Sequence, residues 1–163
     1  MNKMSKTIYN ETVSSSKTHA LFIVLTMVFL ALFAWCWSYI GWSGWTITFL
    51  CISAFFLFYV FNYRTLKTRI TSETLQLTFG IFTWKIPISN IKNCYLDEDT
   101  IWRFGGAGIH FMFIKGKYRA FWNFLEYPRV VIILKKNKGP VQEVAFTTQQ
   151  PEHVMELIQS KLT

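Results

Sequence analysis

Residues 20–63 form one unbroken apolar run. Between His19 and Arg64 there is no Asp, Glu, Lys, Arg or His, and Leu, Ile, Val, Phe and Trp dominate. One crossing of bilayer hydrocarbon uses about 20 helical residues, so the run is long enough for two. The break is legible at Gly41-Trp42-Ser43-Gly44, where two glycines and a serine interrupt the pattern and tryptophans supply rings suited to the headgroup level. The pattern predicts helices over 20–40 and 45–62. In lipid every backbone N–H and C=O must be paired within the segment, which favours a helical hairpin. A buried pair of soluble helices is the alternative, but the remaining polar chain is too short to cover it.

After the hairpin the period changes from helical to alternating. Strands are predicted over 65–70, 74–79, 82–86, 92–96, 109–114, 118–124, 130–135 and 141–146, with alternation of polar and apolar residues clearest over 74–79. Turns fall at Thr71-Ser72-Glu73, Gly80-Ile81, Lys115-Gly116-Lys117, Glu126-Tyr127-Pro128 and Asn137-Lys138-Gly139-Pro140. Pro151 suits a first helical position, and Val154, Leu157, Ile158 and Leu162 give the following helix one apolar face. Residues 1–19 form a polar tail rich in Ser, Thr, Asn and Lys, without a periodicity that buries it, and the prediction there is disorder. The chain thus divides into a tail (1–19), a transmembrane hairpin (20–63) and a single small domain (64–163).

Charge sets the orientation of the hairpin. Lys3, Lys6 and Lys17 precede it against the one acid Glu11, while Arg64, Lys67 and Arg69 follow it, and the tip is neutral. The positive-inside bias puts both termini in the cytoplasm. The formal net charge is +8. Residues 64–163 hold fourteen Lys plus Arg and eight Asp plus Glu, about +6, which suits a domain beside anionic headgroups. The cations are scattered and no recognition helix stands out, so nucleic acid is not an expected partner.

Candidate chemistry is sparse. Cys36, Cys51 and Cys94 form no CxxC pair, and His19, His110 and His153 are dispersed, so no metal site or cofactor is predicted. The acidic stretch Asp97-Glu98-Asp99 lacks the alternating ligands of a calcium loop and is expected as a solvated loop. Gly105-Gly106-Ala107-Gly108 lacks the Gly-Lys-Ser/Thr and strand-to-helix context of a phosphate loop, and is expected to permit a tight turn or let one strand approach another. No nucleophile stands beside a base, and neither catalysis nor a small-molecule substrate is expected.

A two-helix hairpin, then meandering strands, then one terminal helix resembles the bacterial pleckstrin-homology-like (PH-like) membrane proteins. The pieces that carry the resemblance are Arg69-Ile70-Thr71 with Leu75, Gly80-Ile81 with Ile86-Pro87-Ile88, Gly105-Gly106-Ala107-Gly108-Ile109, and Phe146-Thr147-Thr148-Gln149-Gln150-Pro151-Glu152. The resemblance implies a membrane α-helical hairpin plus an α+β soluble domain, a split β-barrel of about seven antiparallel strands capped by a C-terminal α-helix, in the bacterial inner membrane. It also points to basic residues on the first two strands as phospholipid contacts. Lys67 and Arg69 supply part of such a cluster, while Leu75 to Phe79 carry none.

Two functions follow as expectations. One is a noncatalytic membrane-anchored interaction module, an accessory or scaffold subunit that binds a membrane protein or a second copy of itself, with Phe121, Trp122 and Tyr127 as interface anchors. Strand alternation leaves open whether those aromatics face the core or a partner. The other is a sensor of anionic lipid headgroups using Arg64, Lys67, Arg69, Lys115, Lys117 and Arg119.

Overall fold

A computed structural model of the chain describes residues 6–98, 106–135 and 139–162. Lys3, Asp99, Gly105, Asn137 and Lys138, which figure in the sequence reading, lie outside the described residues. The architecture is mixed: two long apolar helices, two β-sheets and a C-terminal helix.

The hairpin consists of α1 (Ser16–Ile40) and α2 (Gly44–Asn62). Both helices are long and apolar enough to cross a membrane. Gly41 ends α1 at φ +69°, and Ser43 caps α2 by accepting the Thr46 N–H, so the interruption seen in the sequence is a stop followed at once by a start. Thr46 Oγ1 also donates to the Gly41 carbonyl at 2.8 Å. The helices meet through Phe22, Phe29 and Phe56, with Phe29 and Phe56 stacked at 5.5 Å, and through the buried Thr26, Cys36 and Ser53. Their outward faces are apolar and uncovered: Met27, Trp35, Trp45 and Phe61 are 60–76% exposed.

Sheet one has the order β1-β2-β3-β4, all antiparallel: β1 (Thr7–Ser14), β2 (Thr65–Thr71), β3 (Thr74–Phe79) and β4 (Phe82–Pro87). The first strand corrects the sequence reading. Residues 7–14 are not disordered; they add an edge strand on β2, with Ser14 opposite Thr65 and Thr7 opposite Thr71. Because β1 runs straight into α1 and α2 runs straight into β2, the hairpin brings these two segments side by side. Pairing then supplies the backbone partners that the polar tail lacks alone. Val13 is fully buried, and the Glu11 carboxylate accepts from Thr148 Oγ1 at 2.6 Å and the Gln149 N–H at 2.8 Å, tying β1 to the lead-in of the C-terminal helix.

Sheet two has the order β5-β8-β9-β7-β6: β5 (Ile91–Leu96), β6 (Gly108–Ile114), β7 (Lys117–Asn123), β8 (Arg129–Leu134) and β9 (Glu143–Thr147). The expected antiparallel meander is not what forms. β9 enters between β8 and β7, pairing antiparallel with β8 and parallel with β7. Among the described residues no closed barrel is found; the two sheets share one core. Their core is Leu66, Ile70, Leu75, Leu77, Phe79, Ile91, Phe124, Val130, Ile132 and Phe146, with Val154 and Ile158 of α3 (Pro151–Gln159) joining from one end. Pro151 is at the first turn of α3, as its fixed φ and missing N–H predict.

Two sets of contacts fix the hairpin on the sheets. Gly80 adopts φ +49° in the β3–β4 turn, and Asn62 Oδ1 accepts the next N–H, that of Ile81, at 3.0 Å. On the α1 side, the Lys17 N–H donates to Glu126 Oε1 at 2.7 Å, which adds a carboxylate to a helix N-terminus that Ser15 already caps by accepting the Thr18 N–H, and Tyr127 Oη donates to the Ser14 carbonyl at 2.9 Å.

Candidate functional site

The residues named from sequence do not form one site. Arg64, Lys67 and Arg69 are exposed, and Arg69 Nε donates to Thr7 Oγ1 of β1 at 2.9 Å. Thr65 stands at the end of α2, so at about 3.3 Å per residue Lys67 lies roughly 7 Å and Arg69 roughly 13 Å along β2 from the hairpin. Lys115 and Lys117 are exposed at the β6–β7 turn. The far end of the same segment touches α1, where Thr18 Oγ1 accepts from the Leu125 N–H. Lys117 is therefore on the order of 26 Å along the chain from the residue that touches the hairpin.

Arg119 is not on that surface. Its side chain is 3% exposed and sits in a buried ion network. Arg119 Nη2 and Nε both donate to Glu143 Oε2, at 2.7 and 2.9 Å, Nη2 also donates to Tyr95 Oη at 2.9 Å, and Nη1 lies 3.4 Å from Asp97 Oδ2. Lys117 Nζ donates to Glu143 Oε1 at 2.7 Å, and Arg129 Nε to Asp97 Oδ2 at 3.1 Å. Asp97 is thus a buried acceptor and not part of a solvated loop. Parallel pairing of β7 and β9 sets Arg119 beside Glu143, and the register of β5 and β8 brings Tyr95 to the same face. Burial alone raises the Glu143 carboxyl, but hydrogen bonds from Lys117 and Arg119, with their charges, outweigh it and hold the group below its ordinary value. Burial raises the Tyr95 phenol against the lowering influence of Arg119. A carboxylate held ionised in this way is poorly matched to general acid work near neutral pH.

The aromatic anchors named from sequence face inward. Phe121 and Trp122 are buried on opposite faces of β7, Trp122 in the core between the sheets and Phe121 in a smaller cluster with Ile114, Val131 and Ala145. Alternation puts neighbouring residues on opposite faces; what it does not disclose is that β7 lies inside its sheet and is buried on both faces. Tyr127 packs on the main core and spends its hydroxyl on Ser14.

Exposed aromatics occur instead on β6, the edge strand of sheet two. Phe111 is 51% and Phe113 71% exposed, and both rings contact Tyr118 of β7, at 5.9 and 4.8 Å between centroids. The turn beyond them, Lys115-Gly116, has positive φ at both residues, the geometry of a tight two-residue hairpin, and Lys117 follows it. The signal for this cluster was present as Phe-Met-Phe, but its exposure depends on β6 having a neighbour on one side only.

Between β4 and β6 lies an apolar groove of about 490 Å³ lined by Tyr63, Phe82, Thr83, Trp84, Ile109, Phe111 and Trp122. Gly108 lets β6 approach the end of α2. A Cβ at that glycine would lie 3.4–3.5 Å from the rings of Tyr63 and Tyr59, and its φ is +92°. The glycine run was expected to let one strand approach another; the approach made at Gly108 is to the end of a helix instead. Among the described residues no cluster of three His, Cys, Asp or Glu side chains is suited to a metal ion. The chain matches no family model, no curated protein and no solved structure.

Proposed function

We propose that the chain is a noncatalytic, membrane-anchored interaction module of PH-like architecture, an accessory or scaffold subunit in a bacterial inner-membrane assembly. The hairpin is its anchor and residues 64–163 its cytoplasmic part. Supporting the anchor are the uncovered apolar faces of α1 and α2, the neutral tip, and Lys17 and Arg64 at the opposite end. The PH-like reading draws support from two packed sheets closed at one end by α3, although β9 departs from a simple meander.

The observation that carries the function is the exposed Phe111–Phe113–Tyr118 cluster at the end of the β6–β7 hairpin remote from the helices. Aromatics beside Lys115, with the Lys117 ammonium already paired to Glu143, fit a partner surface that is apolar at its centre. The clamps at Asn62–Ile81 and Lys17–Glu126 hold this cluster at a set distance from the bilayer, which suits a partner that is itself a membrane protein or a second copy.

Sensing of anionic headgroups has less behind it. Arg64 and Lys67 are near the hairpin, but Lys115 and Lys117 are remote and Arg119 is buried. Extraction from native membranes in mild detergent, followed by mass spectrometry of intact particles, separates the readings. A stoichiometric protein partner that is lost with Phe113→Glu and retained with Ile8→Glu is the expected result. An enriched anionic lipid with no protein partner would refute the interaction reading.

A further inference from the structure

The groove between β4 and β6 has a mouth and a direction. Its two walls begin beside Tyr63. Phe82, the first residue of β4, has its ring 6.3 Å from both Tyr63 and Phe58 of α2, and Gly108, the first residue of β6, abuts Tyr63 and Tyr59. From there both strands lead away from the hairpin, Phe82 to Trp84 on one wall and Ile109 to Phe111 on the other, with Trp122 between them. None of the lining side chains is charged.

The surface outside the mouth is apolar as well. Phe58 and Phe61 are exposed on the last turns of α2, and the β3–β4 turn beside them presents Ile81, 75% exposed, followed by Phe82. The Asn62–Ile81 hydrogen bond holds that turn level with the end of the helix, and the Phe58–Phe82 contact brings β4 against its last turns. One continuous apolar strip therefore leads from the outward face of α2, past Ile81, into the groove.

We propose that the groove takes an acyl chain of a phospholipid from the adjoining leaflet, with Ile81 and Phe82 seated in the bilayer at its mouth. This rests on the reading of α1 and α2 as a membrane anchor. Its volume falls in the range of sites that enclose small apolar ligands. An acyl chain brings no polar group that the uncharged lining would have to satisfy, whereas a charged side chain would lose its hydration there without a counter-charge. Bound there, a lipid would bridge sheet one and sheet two across edges that otherwise do not pair.

The test uses the purified full chain in liposomes containing a phospholipid with a diazirine near the end of one acyl chain. After irradiation, adducts are mapped by peptide mass spectrometry. Expected are adducts on α1 and α2 and also on the peptides holding Phe82 to Trp84 and Ile109 to Phe111. Phe111→Glu should lower groove adducts about tenfold, equivalent to about 1.4 kcal/mol. Phe82→Glu, from the opposite wall and at an exposed position, should do the same, while helix adducts stay unchanged and Ile8→Glu alters neither set. Adducts confined to the helices would overturn the proposal and leave the anchor standing. Groove adducts indifferent to both substitutions would also overturn it. Absence of adducts from α1 and α2 would remove the anchor, and the acyl-chain site with it.

Discussion

Replacing Gly80 with alanine tests the joint between hairpin and sheets. Gly80 has φ +49°, and a Cβ built there falls 2.2 Å from Asn62 Oδ1 and 2.5 Å from the Asn62 carbonyl oxygen. An L-residue in the left-handed region costs about 1–2 kcal/mol. Displacing the Asn62 side chain also removes its bond from the Ile81 N–H, a further ~1 kcal/mol. Side-chain rotation cannot relieve the contact with the carbonyl oxygen, so the whole turn must move. The expected loss is about 2–4 kcal/mol. Gly116 is the internal reference, because its φ is +81° and nothing lies within 4 Å of a Cβ there. Gly116→Ala therefore carries the backbone cost alone, about 1–2 kcal/mol. In thermal unfolding of the detergent-solubilised chain followed by near-ultraviolet circular dichroism, 1 kcal/mol moves the midpoint by roughly 2–4 °C at this size. The midpoint should thus fall by roughly 4–16 °C for Gly80→Ala and by about half as much for Gly116→Ala. Adding Asn62→Ala to Gly80→Ala should cost less than the two losses combined, since Oδ1 is already gone. Equal losses for the two glycine variants would refute the close docking of the turn on Asn62.

Arg119→Ala leaves Glu143 and Asp97 short of a buried counter-charge and should destabilise by on the order of 3–5 kcal/mol, read by the same unfolding assay. Because the folded Glu143 carboxyl is held low, its contribution is complete above the unfolded value near 4.3 and is lost as pH falls through the folded value. Glu143→Gln should accordingly flatten that part of the acid limb of a stability–pH curve. Glu11→Ala removes both acceptors that tie β1 to residues 148–149, and hydrogen exchange should accelerate in Thr7–Ser14 while β3 keeps its protection. Burial raises the Cys94 thiol, so a water-soluble maleimide should leave Cys94 unmodified near neutral pH until the protein is unfolded, as followed by intact mass.

Two kinds of mismatch separate the chain as read from the chain as folded. The polar tail was misjudged because a strand such as Thr7–Ser14 has no apolar face strong enough to declare itself; its order comes from β2 and from the Glu11 contacts. Arg119 and Asp97 were misjudged, and Phe121 was left open, because local alternation states which residues share a face but not whether that face is covered. β7 lies inside its sheet only because β9, more than twenty residues later, returns parallel to it. The same pairing buries Arg119 against Glu143. The candidate surface shifts as a result from Phe121, Trp122 and Tyr127 to Phe111, Phe113 and Tyr118.

The sequence by itself determined whatever depends on local period and backbone chemistry. The charge-free run dictated two helices, Gly41 and Ser43 dictated the break between them, alternation located β2 to β9, and Pro151 marked the start of α3. These are interactions among residues a few positions apart, so their signal is written contiguously. Only the tertiary structure decided the order of strands in sheet two, the assembly of the ion network, the docking of Gly80 on Asn62 and the groove that opens beside Tyr63. Each depends on which distant segments become neighbours, and that choice is made by burying the whole apolar surface at once.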